Sequence, residues 1–250
     1  VGYTNANIDI IDKDDKVTNI NDIKIKDILA DKIINDVYFI DEFAYVCCGF
    51  GIVVIDMLRM EVKDTYIIGR NGAYLNVNDI TVYDEKFYAA TSSGIYFADC
   101  NNENLADYSQ WSRDNSTIHS SINYSEIETF NDELLANYSE NKYGTDTLFV
   151  YDGETWDYFD RSSHAIKRDI KAQDSRLIIT EHYSVKVLNK DHEMIMDLYT
   201  DIEPFAAIYD KTDKVYWIGD RNNSLLKIYP DKTREDILFN GPYNNTNFEI

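Results

Sequence analysis

The chain has 250 residues, 44% of them hydrophobic, enough for a sizeable core in one large all-β domain or two small ones. Its formal charge is −21, from 45 acidic against 24 basic residues; this excludes a nucleic-acid reader built on clustered Lys and Arg and argues against docking on an anionic membrane. Only 3 prolines and 10 glycines stand against 20 tyrosines and 11 phenylalanines, a composition suited to pleated, half-buried surfaces, and long helical patterns are absent.

Taken in order, residues 7–12 (NIDIID) read as a strand, residues 12–16 as a polar turn and residues 17–23 as a second strand. These two match the outer half of the unit that follows. That unit is the organising feature of the chain. Residues 37–56, VYFIDEFAYVCCGFGIVVID, recur as residues 80–99, ITVYDEKFYAATSSGIYFAD. Asp41-Glu42 corresponds to Asp84-Glu85, Tyr45 to Tyr88, Gly51-Ile52 to Gly94-Ile95 and Asp56 to Asp99. Each copy is an apolar run, an acidic turn, a second apolar run, a glycine break and a third apolar run. The first full unit spans residues 33–69, with strands expected at 34–40, 43–48, 51–57 and 62–68. The second spans residues 77–111, with strands at 78–83, 86–91, 94–99 and 105–111, and a loop rich in Ser and Asn follows at 112–121.

The third unit starts at Ile127, the fourth at Asp169 and the fifth at Ala206. Asp152-Gly153 between two apolar runs predicts a type I′ hairpin turn, whose central residues both need positive φ. Residues 247–250 read as the first strand of one more unit. The equivalent positions Ala44, Phe87, Leu134, Leu177 and Val215 are 43, 47, 43 and 38 residues apart. About four short strands every 43 residues predicts an all-β fold, a β-propeller with five full blades and partial terminal blades. A β-sandwich would not yield five copies of one four-strand pattern. The second strand of each unit is apolar nearly throughout, as expected of a strand covered on both faces. Because the chain starts inside a unit, with no Met and no signal-peptide pattern, it is expected to be one propeller domain, residues 1–250, of a longer multi-domain protein that continues past Ile250.

Candidate chemistry is sparse. Cys47 and Cys48 should point to opposite faces of one strand, and with Cys100 they make an odd set with no disulfide framework, so small core residues are expected. His119, His164, His182 and His192 show no metal-ligand spacing, and His182 falls in a turn between strands. Residues 150–156, VYDGETW, are similar to a sialidase Asp-box but lack its spacer, and no arginine triad accompanies them. Residues 12–15 resemble half a calcium loop without its glycine or distal glutamate, and a hairpin turn is the better reading. Sequons such as residues 115–117 and 123–125 mean nothing if the chain is bacterial and would mark surface loops elsewhere. The longest uncharged run, residues 43–55, is too short to cross a bilayer, which takes about 20 apolar residues. No catalytic residue, metal site or cofactor is assigned.

Loops between the second and third strands, and between successive blades, gather on one face of a propeller. Binding groups sit most readily on such loops. Arg70, Asn71 and Tyr74, residues 161–168 around His164 with Arg168, His182, and Arg221 after Gly219-Asp220 fall there. These residues form the candidate binding face. They suit a protein interface better than a small-molecule pocket.

Residues 50–72 (FGIVVIDMLRMEVKDTYIIGRNG), 88–99 (YAATSSGIYFAD) and 105–111 (LADYSQW), with the closing NGPYNNTNFEI, resemble the PorZ N-terminal propeller family, from a surface component of the type IX secretion system of Gram-negative bacteria. Residues 217–231, WIGD to SLLKIYPD, also look like the extracytoplasmic sensor propellers of hybrid two-component regulators. The first resemblance implies a seven-bladed propeller with further domains beyond it, export to the cell surface, and protein partners there such as the sortase or other secretion components. An acidic propeller is a poor direct binder of an anionic glycan, so glycan contact is left to other domains. The expected function is a non-enzymatic interaction module. The alternative is an oligosaccharide-sensing propeller.

Overall fold

Short apolar runs joined by tight turns build five sheets of four antiparallel strands, arranged as the blades of a β-propeller. The computed structural model describes residues 1–237 apart from 4, 13, 15, 118, 141–144, 160–163 and 199–200. The predicted strand at 247–250 and Arg161 lie outside the described residues. The chain forms two compact units, Val1–Ile127 with Glu154–Trp156, and Glu128–Gly153 with the residues from Asp157 on.

In the first unit, strands β1 (Ile8–Ile11) and β2 (Val17–Ile20) form a two-stranded sheet, followed by one turn of helix α1 (Asp22–Ile25) where the second predicted strand was to run on. Blade one consists of β3 (Ile34–Ile40), β4 (Phe43–Cys48), β5 (Gly51–Asp56) and β6 (Glu61–Tyr66). Blade two consists of β7 (Val77–Tyr83), β8 (Lys86–Thr91), β9 (Gly94–Asp99) and β10 (Ser112–Arg113). The fourth strand of blade two differs from expectation. Residues 105–111 make no strand. Asp107 instead caps a 3-10 turn at Tyr108–Gln110 by accepting from the Ser109 amide, a local bond that competes with strand pairing. Leu105 and Trp111 are nevertheless buried, and the Trp111 indole donates to the Leu105 carbonyl at 2.9 Å.

The third blade is β11 (Tyr124–Phe130), β12 (Glu133–Glu140), β13 (Thr145–Tyr151) and β14 (Trp156–Tyr158). The fourth is β15 (Lys167–Gln173), β16 (Arg176–Glu181), β17 (Ser184–Asn189) and β18 (Met194–Leu198). The fifth is β19 (Pro204–Asp210), β20 (Val215–Asp220), β21 (Ser224–Ile228) and β22 (Arg234–Ile237). Type I′-like turns do occur, but not where predicted. At Asp152-Gly153 only Gly153 has positive φ, and a four-residue link joins β13 to β14. The two-residue turns with positive φ at both positions are Asp84-Glu85 (46° and 58°), Asn131-Asp132 (52° and 61°) and Asp174-Ser175 (47° and 60°). Asp and Asn lead these turns because their short polar side chains tolerate the left-handed region.

Burial follows the alternation of the second strands. Ala44, Val46 and Cys48 of β4 pack with Ala6, Ile8, Ile20 and Ile23, whereas Tyr45 and Cys47 face Ile80, Phe87 and Ala89 of blade two. The two adjacent cysteines therefore enter different cores, as their spacing predicts, and neither is in a disulfide. In the second unit, Ile178 packs with Tyr209, Tyr216 and Ile218 of blade five, while Leu177 and Ile179 face Phe130, Leu135 and Phe159.

A further regularity lies at the start of the first strands. β3, β7, β15 and β19 each carry a bulge there, at Asn35, Asn78, Arg168 and Phe205 respectively. In three of them the bulged side chain reaches the first residue of the next blade. Asn35 donates to the Val77 carbonyl at 2.6 Å, Asn78 to the Tyr124 carbonyl at 2.6 Å, and Arg168 to the Pro204 carbonyl at 3.1 Å. Further links join side chain to backbone between blades: Asp79 accepts from the Ile127 amide at 2.9 Å and Gln173 from the Tyr209 amide at 2.8 Å.

Candidate functional site

In the second unit the structure brings three predicted site residues together on a fourth that the sequence did not mark. Arg168 sits at the β15 bulge, His182 in the β16–β17 turn and Arg221 just after β20. All three meet Glu203, which immediately precedes β19. Glu203 Oε1 accepts from Arg168 Nη2 at 2.9 Å and Arg221 Nη1 at 3.0 Å, and it lies 3.5 Å from His182 Nε2. The Glu203 amide donates to Asp220, whose Oδ1 also accepts from the Asn222 and Asn223 amides and so shapes the turn that presents Arg221. Arg168 is further fixed by the Phe205 ring, 4.2 Å from its guanidinium carbon. Hydrogen bonds from Arg168 and Arg221 hold the Glu203 carboxyl down to about 2. The His182 ring stacks on Tyr183 at 4.0 Å and 13°. Tyr183 and Arg221 are exposed beside a carboxylate that is already neutralised, which leaves a patch of aromatic and cationic character suited to contact.

Glu181, the residue before His182, anchors a buried ionic group that was also unmarked in the sequence. Glu181 accepts from Lys186 Nζ at 2.8 Å and Ser184 Oγ at 2.9 Å and lies 3.8 Å from Lys167 Nζ. Lys167 Nζ donates to the Ala165 carbonyl at 2.9 Å. Burial pushes the Lys167 ammonium down, against the upward pull of Glu181 and Asp146. Its side chain is fully enclosed, so this group braces the fold rather than meeting a ligand.

His164 is not brought to Glu203. It is exposed just ahead of β15, with its Nδ1 3.3 Å from the Asp146 carbonyl. In the first unit, Arg70 and Asn71 lie in a 3-10 turn, with Asn71 in the left-handed region at φ 58°. They line a groove of about 390 Å³ together with Tyr96, Tyr108, Trp111 and Arg113. Tyr74 is outside the groove wall; it is exposed and meets Phe50 edge-on at 6.5 Å. Tyr108 went unmarked because the sequence pattern placed a strand over residues 105–111, and Arg113 because it fell in the loop read at 112–121.

Among the described residues no group of three or more His, Cys, Asp or Glu is placed to hold a metal ion. None of the described helices is long and apolar enough to cross a membrane.

With this geometry in view, the chain can be compared with known proteins. Residues 1–112 match the family of the TSS9, PorZ, N-terminal beta-propeller domain. The structure is similar to that of PorZ, an essential surface component of the type-IX secretion system of Porphyromonas gingivalis, with a TM-score of 0.74 and 16% identity, over 98% of this chain and 31% of that one. It is also similar to the extracellular domain of the one component system BT4673 of B. thetaiotaomicron, with a TM-score of 0.61 and 11% identity, over 83% of this chain and 28% of that one. A third likeness is to the extracellular domain of the hybrid two component system BT3049 of the same organism, with a TM-score of 0.59 and 14% identity, over 86% of this chain and 29% of that one. At these identities the structural likenesses are of fold. The chain spans about a third of the PorZ chain it matches. No match was found among the curated proteins.

Proposed function

We propose that this chain is a non-catalytic interaction module, one propeller domain of a longer exported protein that serves a type IX secretion apparatus at the cell surface. The observation that carries this reading is the match of residues 1–112 to the PorZ N-terminal propeller. Its partners are surface proteins of that apparatus, the sortase among them, and other domains take any glycan. The surfaces offered for docking are the Arg221–Tyr183 patch around Glu203 and the loop carrying Arg70, Asn71 and Tyr74. Arg and Tyr dominate both, as they do the energetic centres of protein interfaces.

Affinity capture from outer-membrane extract, with the full chain as bait and quantitative mass spectrometry as readout, tests this directly. Secretion-apparatus proteins are expected to be retained, and Arg221→Ala is expected to lower their recovery. A second reading, an oligosaccharide sensor, draws on the fold shared with the two extracellular sensor domains. Loss of all protein capture, together with thermal stabilisation by a panel of oligosaccharides, would favour it.

A further inference from the structure

The described residues include seven arginines, and five of them are engaged. Arg59 pairs with Asp56 and Glu61, Arg168 and Arg221 with Glu203, Arg234 with Asp236, and Arg176 with the Asp174 carbonyl and the Tyr209 ring. The other two, Arg70 and Arg113, line the same groove in the first unit. Both are exposed, and among the described residues neither side chain makes a hydrogen bond or ion pair. In a chain with 45 carboxylate side chains this needs a local reason. The acids nearest Arg113 in sequence are already committed. Asp107 caps the 3-10 turn, and Asp114 accepts from the Ser116 amide and hydroxyl and from the Trp156 indole at 3.0 Å. Two guanidinium groups are thus held at one cavity with no anion to satisfy them.

The rest of the groove selects among anions. Tyr108 stands at the rim, 42% exposed, while Trp111 and Tyr96 are buried in the wall. The Trp111 ring is stacked by Phe87 at 6.3 Å and packed by Tyr66 at 6.3 Å, and its N–H is spent on Leu105. Buried and packed in this way, the indole offers little surface to a sugar ring. Tyr108 with two arginines is instead the composition of a protein-binding centre. A guanidinium fork matches a carboxylate in plane and in charge.

We propose that this groove binds an acidic peptide segment of a partner protein, with an Asp or Glu carboxylate on Arg70 and Arg113 and a neighbouring side chain against Tyr108. The proposal rests on the reading of this domain as a protein-docking module and names the chemistry that one docking surface recognises.

The test is to pan a seven-residue random peptide library, displayed on phage, against the full chain, with the Arg70→Ala/Arg113→Ala double variant as the comparison. Both arginines are exposed and without partners, so the variant is expected to keep the wild-type thermal midpoint. Enriched peptides are expected to carry Asp or Glu. By fluorescence anisotropy their affinity should fall about tenfold or more in the double variant, and equally when their acids are changed to amides. Peptides without acidic residues, or peptides bound equally by the double variant, would overturn the groove while leaving protein docking to another surface. No enriched peptide, with trigalacturonate bound instead, would overturn the groove and the docking reading together.

Discussion

Glu203 shows how one unremarked residue can organise three that the sequence singled out. Its carboxyl, held down to about 2 against an ordinary value of 4.5, is protonated first in the unfolded chain. The stability it contributes is therefore complete above about pH 4.5 and is lost as pH falls toward 2. A carbon-13 titration of the Glu203 side chain should give a midpoint near 2 that climbs in Arg168→Ala; a wild-type midpoint near 4.5 would remove the double arginine clamp. Glu181 is the buried counterpart. Glu181→Ala strands Lys167 and Lys186 without their shared carboxylate and is expected to cost about 3–5 kcal/mol in chemical denaturation, the range for breaking a buried pair from one side. A loss below about 1 kcal/mol would mean that water reaches Lys167. Burial also pushes the Cys48 thiol up to about 12 and the half-buried Cys100 thiol up to about 11, while Cys47 is fully enclosed. The native chain at pH 8 should expose at most one thiol to Ellman's reagent, Cys100, and all three on unfolding.

At the scale of the element, most strands were legible because each unit repeats the same alternation of apolar runs and turns. The strands of blade one start within one residue of their predicted positions, and the second strands are buried on both faces as their composition predicts. What the pattern misplaced was decided by local side-chain bonds. The Asp107 cap turned an apolar stretch into a 3-10 turn, and Asx-led pairs such as Asn131-Asp132 make the left-handed turns predicted for Asp152-Gly153. The Glu203 cluster was illegible for a different reason: Arg221 and Arg168 lie 18 and 35 residues from Glu203, the first brought to it by strand pairing within blade five and the second by the packing of blade four on blade five. The glycine break of the repeat has a steric cause. A Cβ on Gly51, at φ 147°, would sit 2.2 Å from the Tyr66 carbonyl, and one on Gly94, at φ 102°, would sit 2.3 Å from the Ser120 carbonyl. Gly51→Ala should therefore cost more than about 3 kcal/mol in a denaturant melt, among the largest single-site losses, because a backbone atom must move. A loss within about 0.5 kcal/mol would show that the approach of Tyr66 is not needed for folding.

For the whole molecule, the charge of −21 and the local cations work at different ranges. A net charge of this size repels anionic surfaces at long range, while on the proposed reading Arg70, Arg113 and Arg221 act only on a group already in contact. That combination suits a rigid scaffold that recognises protein partners through small cationic and aromatic centres. The measurement that bears most directly on this is in-frame deletion of the coding segment for residues 1–250 in the native host, followed by quantitative surface proteomics. If the domain serves the secretion apparatus, exported cargo will fail to reach or attach to the cell surface. An unchanged surface proteome, with loss of a transcriptional response to an oligosaccharide, would contradict that role and make the chain a sensor.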